Sequence, residues 1–314
     1  MSEITTAERP PQPDWPSVTA ESLAAYRVAE NAWRASGAAR TVLGQPDPGA
    51  TIDWRQVALP GRDVPVRVYR PSGATGAPLP LVLHVHGGGF VGTAVQCDWA
   101  NSHLAARLPA LVVSVEHRLL DWETSLSAAA DDGWDVLQHV VRHAGRWGVD
   151  PARVAVFGES LGALISALSA IRARESGLGL MAQVLVNPAV DVTGTMYEHA
   201  SMAAHGYGAG PTVAQLRLLQ RLALPPGTDA RTLSPLYAEE LGGLAPALVV
   251  VPTQDAVADH GRRYAERLHA AGTTVRLTAY PEAVHAFLSL PGVQPQAVPA
   301  RAEILGFLRA ALPE

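Results

Sequence analysis

The chain contains no lysine; all 24 of its cationic side chains are arginine. That absence excludes lysine Schiff-base chemistry, pyridoxal-phosphate catalysis and the phosphate-binding lysine of a P-loop ATPase. One cysteine, Cys97, stands alone, which excludes an internal disulfide, a thiolate zinc site and a cysteine-ligated iron–sulfur cluster. No run approaches the roughly eighteen consecutive apolar residues of a membrane-spanning helix. Charge is sparse as well: 17% of residues are charged and the net charge is −5, so neither nucleic acid nor an acidic membrane is expected as a partner. The opening stretch MSEITTAERPPQPDWP lacks a positive start and an apolar core, so no export signal is expected and a cytoplasmic location is. What is present is 314 residues with 48% hydrophobic content, ample for one large domain with an added lid. Such a chain reads as an enzyme that works with its own side chains and takes no organic cofactor.

The first sixteen residues are polar and hold four prolines, which predicts a disordered or loosely draped segment. Helical spacing follows from Ser17 to Ala39, with Ser17 or Thr19 as cap and Leu23, Tyr26, Ala29 and Trp33 on one face. Residues 51–59 and 64–69 read as a hairpin around Pro60-Gly61-Arg62-Asp63. Short Val/Leu-rich runs then recur at 79–85, 110–115, 153–157, 183–186, 247–251 and 274–279, with helical patterns near 98–108, 125–144, 160–175, 258–271 and 298–311. Strands apolar on both faces and separated by helices predict an α/β fold with a mostly parallel sheet covered on both sides, one early strand being antiparallel. A helix-rich excursion from Asp191 to Pro225 breaks the alternation. The expected division is residues 1–48 as N-terminal segment and cap helix, 49–190 and 229–314 as the two parts of the core, and 191–228 as a cap insertion.

Gly158-Glu159-Ser160-Leu161-Gly162 fits G-x-S-x-G between a strand and a helix. There a serine on a sharp turn is a nucleophile, and small flanking residues relieve the crowding. His86-Gly87-Gly88-Gly89-Phe90 directly follows the strand at 79–85, and successive glycines bare backbone N–H groups suited to an oxyanion. An acid and a base should follow in chain order. Asp255 is the first carboxylate past the strand at 247–251, and His285 is the only histidine after His269. In that arrangement Asp255 orients the imidazole and His285 takes the proton of Ser160.

HGGGF, GESLG, the Asp followed by AVADH, and VHAF together resemble the hormone-sensitive-lipase-like branch of the α/β-hydrolases, a branch rich in bacterial carboxylesterases. The similarity runs from about Val64 to the C-terminus and takes in Val115-Glu116-His117-Arg118-Leu119 and Asn187-Pro188-Ala189-Val190-Asp191. It implies an eight-stranded sheet, a helical cap, and an oxyanion hole from the N–H groups of Gly88, Gly89 and Leu161, with His86, Gly87, Gly158, Glu159 and Gly162 as supporting motif residues. It implies a serine esterase acting on small esters with short to medium acyl groups, with no cofactor and no metal, and a homodimer through the last strand as one assembly. The chain departs from the branch at Leu161, where alanine is usual and crowding of the acyl side is expected. His117, Leu120-Asp121-Trp122 and His260 also replace usual residues. These departures favour a specialised acyl-hydrolase. The alternatives are acyl transfer, a lyase or cyclisation step with the same three residues, and, less favoured because His285 is retained, a ligand-binding protein like the plant hormone receptors of this branch.

Other features read as structural. His84 and His86 lie two apart on a strand but lack a third metal ligand. Asp131 and Asp132 read as solvated or capping helix residues, Cys97 as a buried or loop thiol, and Leu161, Leu164, Ile165 and Leu168 as a packing stripe. His199, His205 and Tyr207 fall in the lid, where they could face a substrate.

Overall fold

Runs such as Leu81–Val85 and Leu111–Val115, apolar on both faces, are stable only between two covering layers. In the computed structural model, which describes residues 8–73, 76–208 and 211–312, they form the middle of one eight-stranded sheet. The strands are β1 (Ala50–Leu59), β2 (Arg62–Pro71), β3 (Leu79–Val85), β4 (Leu111–Val115), β5 (Val149–Glu159), β6 (Ala182–Val186), β7 (Ala247–Gln254) and β8 (Val275–Val284). Their order across the sheet is β1-β2-β4-β3-β5-β6-β7-β8. Only β2 runs against its neighbours; all pairs from β4 to β8 are parallel. The expected α/β architecture and its single antiparallel strand are thus both present.

The helices are α1 (Ala20–Ala35), α2 (Arg40–Leu43), α3 (Asp98–Arg107), α4 (Leu126–Arg142), α5 (Ala144–Trp147), α6 (Leu161–Ser176), α7 (Ala200–His205), α8 (Val213–Ala223), α9 (Ala258–Ala270) and α10 (Ala297–Ala311). Alternate residues of β3 serve opposite layers. Leu81, Leu83 and Val85 join the core packed by α4, α6 and α9, whereas Val82 joins the one packed by α3 and α10. Because every central strand points the same way, the loops after β3, β5, β7 and β8 converge on one rim.

Several expectations need correction. Of the N-terminal stretch, residues 1–7 lie outside the described residues; residues 8–16 are mostly exposed, as a draped segment would be, but are anchored at Trp15. Trp15 is buried, with its ring centroid 5.6 Å from Tyr26 and 5.0 Å from Phe90. The first helix is shorter than the 17–39 pattern. Thr19, not Ser17, caps it in a reciprocal box with Ser22, and Glu30 rather than Ala29 joins Leu23, Tyr26 and Trp33 on the buried face. β5 and β8 outrun their apolar runs because Val149 and Glu159 still pair with Leu79 and Val186, and Tyr280 and Val284 with Pro252 and Gln254. Asp132 is buried and binds both Arg62 and Arg118 at 2.9 Å; only Asp131 is the solvated residue expected, half-exposed beside Arg172.

Candidate active site

Ser160 sits between the end of β5 and the first turn of α6 with φ 57° and ψ −119°. A side-chain-bearing residue pays for that conformation in steric strain. The surroundings hold it there: the Ser160 N–H donates to Val186 O at 2.9 Å, and its C=O accepts from Ala163 at 3.0 Å. The flanking glycines permit the turn. A Cβ on Gly158 would lie 2.2 Å from Gly162 O, and one on Gly162 would lie 2.1 Å from Val85 O.

Asp255 follows β7 and is fully buried; His285 follows β8. His285 Nδ1 lies 2.7 Å from Asp255 Oδ2, and its Nε2 lies 2.7 Å from Ser160 Oγ. Asp255 Oδ1 accepts the Val257 N–H at 3.0 Å, so both carboxylate oxygens are engaged. Burial alone would depress the His285 pKa, but the charge and hydrogen bond of Asp255, with Glu159 behind, raise it above the ordinary imidazole value.

The glycine loop after β3 is braced from both ends. His86 Nδ1–H donates to Gly87 O at 2.9 Å, and Gln96 Nε2 donates to the same oxygen at 3.1 Å. Gly88 has φ +111°, and a Cβ there would lie 1.9 Å from Val91 O. The N–H groups of Gly88 and Gly89 meet no acceptor among the described residues. On the far side, α1 grips the loop. Arg27 donates to Phe90 O at 2.9 Å and to Leu120 O at 2.7 Å. Asn31 exchanges two hydrogen bonds with the Gly92 backbone at 2.9 and 3.1 Å.

A cavity of about 290 Å³ opens onto Ser160, His285, Gly88 and Gly89. Its roof includes Leu219 of α8, whose Cδ1 would lie 2.6 Å from a Cβ on Gly89, and Trp33 of α1. Arg9, Glu30 and Arg34 line another part of its wall. Glu30 is buried and receives Arg9 at 2.8 Å and Arg34 at 3.0 Å; Arg34 also hydrogen-bonds Gln96.

The serine, imidazole, carboxylate and glycine amides expected from sequence therefore meet at one rim. Leu161 begins α6 beside Ser160 with its side chain buried; it is not among the residues lining the cavity, but its Cδ2 would lie 3.6 Å from a Cβ on Gly89. Glu159 is buried beneath the serine, accepts from the Ser289 hydroxyl, and has its pKa raised by burial. Cys97 is buried beside it, 3.7 Å from Ser289 Oγ. His84 and His86 do not share a site: His84 Nδ1 contacts Ser114 Oγ at 2.8 Å, whereas the His86 ring stacks on His117 at 4.3 Å. None of His199, His205 and Tyr207 lines the cavity, and Tyr207 is 84% exposed. Sequence reasoning missed Arg9, Glu30, Arg34 and Asn31. Glu30 and Arg34, one helical turn apart in α1, were the available signal.

A family described by its α/β-hydrolase fold matches residues 82–289. Over 278 residues the chain is 34% identical to the carboxylesterase NlhH of Mycobacterium tuberculosis, covering 84% of each chain. It is 34% identical over 281 residues to the carboxylic ester hydrolase LipN of the same organism, covering 85% of this chain and 73% of that one. Among solved structures, LAE6, an α/β-hydrolase enzyme from the metagenome of Lake Arreo in Spain, aligns with a TM-score of 0.85 at 30% identity, over 95% of this chain and 92% of that one.

Proposed function

The chain belongs to the α/β-hydrolase-fold family, in its hormone-sensitive-lipase-like branch, and is a carboxylic ester hydrolase; from that premise we propose that Ser160 is its nucleophile, His285 its general base and Asp255 the residue that orients the base. His285 Nε2 removes the Ser160 proton as Oγ attacks the ester carbonyl. The negative charge that develops on the carbonyl oxygen is met by the N–H groups of Gly88, Gly89 and Leu161. Collapse of the tetrahedral intermediate expels the alcohol, which takes the proton back from His285 and leaves Ser160 acylated. Water, deprotonated by the same imidazole, then releases the acid and restores the serine. The observation that carries this reading is the pair of 2.7 Å contacts joining Ser160, His285 and Asp255. It is supported by two glycine N–H groups that meet no acceptor among the described residues.

The N-terminal helix and residues 191–228 act as a cap in this proposal, a role supported by Trp33 and Leu219 in the cavity wall. A space of about 290 Å³ lies at the small end of ligand pockets and favours short to medium acyl groups. Fluorophosphonate labelling of wild type against Ser160→Ala tests the nucleophile. Labelling lost in the variant, with ester hydrolysis down by at least about 10⁴-fold, is expected; an unlabelled wild type overturns the proposal. A p-nitrophenyl ester series from acetate to decanoate, with products weighed by mass spectrometry, should peak at short to medium chains and yield free acid. A homodimer through the β8 edge is part of the same proposal, supported by Leu277, 44% exposed on that open edge; light scattering after size exclusion tests it.

A further inference from the structure

We infer that Asp191, His199 and His260 form a binding site for one zinc-class divalent cation where the 191–228 segment meets the core. Asp191 lies just past β6, His199 immediately precedes α7, and His260 is in the first turn of α9. All three are buried, and one ligand atom from each lies within 4.8 Å of the other two. His199 Nε2 stands 3.5 Å from Asp191 Oδ2, close to the roughly 3.4 Å between donors on a tetrahedral zinc with bonds of about 2.1 Å. The other two separations are no more than 4.8 Å.

The imidazoles are otherwise unexplained. Among the described residues, His199 Nδ1 and both nitrogens of His260 have no hydrogen-bond partner, and His199 Nε2 has only the long 3.5 Å contact to Asp191. Three buried ring nitrogens without partners are costly, and native proteins rarely leave them so. Asp191, in contrast, is held firmly. Its Oδ1 accepts the Thr193 N–H and hydroxyl, each at 2.7 Å, and its Oδ2 accepts the Thr195 hydroxyl at 2.9 Å. A carboxylate fixed by an outer ring of donors, facing two imidazoles that nothing else holds, is the arrangement that orients metal ligands. Two nitrogens and one oxygen suit Zn²⁺, Co²⁺ or Ni²⁺ rather than Mg²⁺ or Ca²⁺, and water takes the fourth place. Asp259, adjacent to His260 in α9, adds negative charge to the surroundings.

The ion would tie the 191–228 segment to α9, the helix that begins three residues after Asp255. It takes no part in the ester reaction and stiffens the loop carrying the acid from behind. This inference stands independently of which residue is the nucleophile.

The experiment uses the full chain, stripped of metal by a chelator that is then removed. His139 near the end of α4 and His143 just past it, with ring centroids 4.3 Å apart, are a competing surface chelate, so the H139Q/H143Q protein is the background. Zinc chloride titrated by calorimetry should show one equivalent. Cobalt chloride should give the intense visible bands of a four-coordinate ion, and saturating zinc should raise Tm by about 3 °C or more. His199→Gln and His260→Gln should each weaken zinc binding at least 100-fold, and Thr195→Val by about tenfold, as loss of an orienting partner does. Retained fluorophosphonate labelling shows that a variant is folded. Because the cobalt spectrum needs no altered ligand, it decides the matter even if a histidine variant does not fold. Absence of stoichiometric binding in the background protein, or binding that survives both histidine substitutions, overturns the inference.

Discussion

At the residue scale the decisive object is one imidazole. His285, the proposed base, could act only when neutral, and its pKa is raised because Asp255 and Glu159 outweigh the penalty of burial. The acid limb of a kcat/KM–pH profile should therefore fall above the ordinary histidine value of about 6.5. Asp255→Asn should lower kcat/KM by about 10⁴-fold, because the amide supports the wrong tautomer, and should move that limb down. A limb left in place would show that Asp255 does not act on His285. The turn itself is as demanding. Gly162→Ala drives a methyl into the Val85 carbonyl, 2.1 Å away, and should cost about 3 kcal/mol or more of stability, read from the urea midpoint.

At the scale of elements, α1 is the part whose role was hardest to read from sequence. Its apolar spacing named Leu23, Tyr26 and Trp33 correctly, but a period count assigns every charge to solvent. Glu30 is buried nonetheless, because Arg9 and Arg34 reach it from two directions, and no pattern within one helix reveals a partner 21 residues away. Glu30→Ala strands Arg34 in a half-buried site and should destabilise the fold by about 2–4 kcal/mol, with faster proteolysis of the segment around Arg9. Asn31 holds the Gly92 backbone by two hydrogen bonds. Asn31→Ala should lower kcat about tenfold or more with little change in KM, since it loosens amides that matter most when charge develops. The core strands were legible because Val and Leu runs admit few other structures. The order β4-β3-β5 was not, because strand neighbours are chosen by crossover geometry that no local run encodes. The proposed serine, base and acid were legible because each stands at a strand end, in the chain order that the α/β-hydrolase fold imposes.

At the scale of the whole molecule, buried imidazoles set the response to acid. Burial lowers the pKa of both His86 and His117 to about 4, with the Arg34 charge adding to the effect at His86 and the stacked His86 ring adding to it at His117. Between that value and the unfolded value near 6.5, the unfolded chain binds more protons than the folded one. Stability is therefore intact above about pH 6.5 and declines as pH falls toward 4, by up to about 1.4 kcal/mol per pH unit for each ring. His285 contributes with the opposite sign: its raised pKa stabilises the fold below about 6.5, and that increment vanishes as pH climbs through the folded value. Thermal melts from pH 4 to 8 should show a steep acid-side loss that His117→Phe reduces.

The lone thiol beneath the nucleophile offers a private gauge of breathing in this region. Burial pushes the Cys97 pKa well up, and thiol reagents need both access and a thiolate. Modification of the native protein must therefore wait for the layer under Ser289 and Glu159 to part, and with a single sulfhydryl in the chain every labelled molecule reports that one event. Its rate, set against a free peptide thiol, yields the free energy of opening there, and sealing Ser160 with a phosphonate should slow the clock.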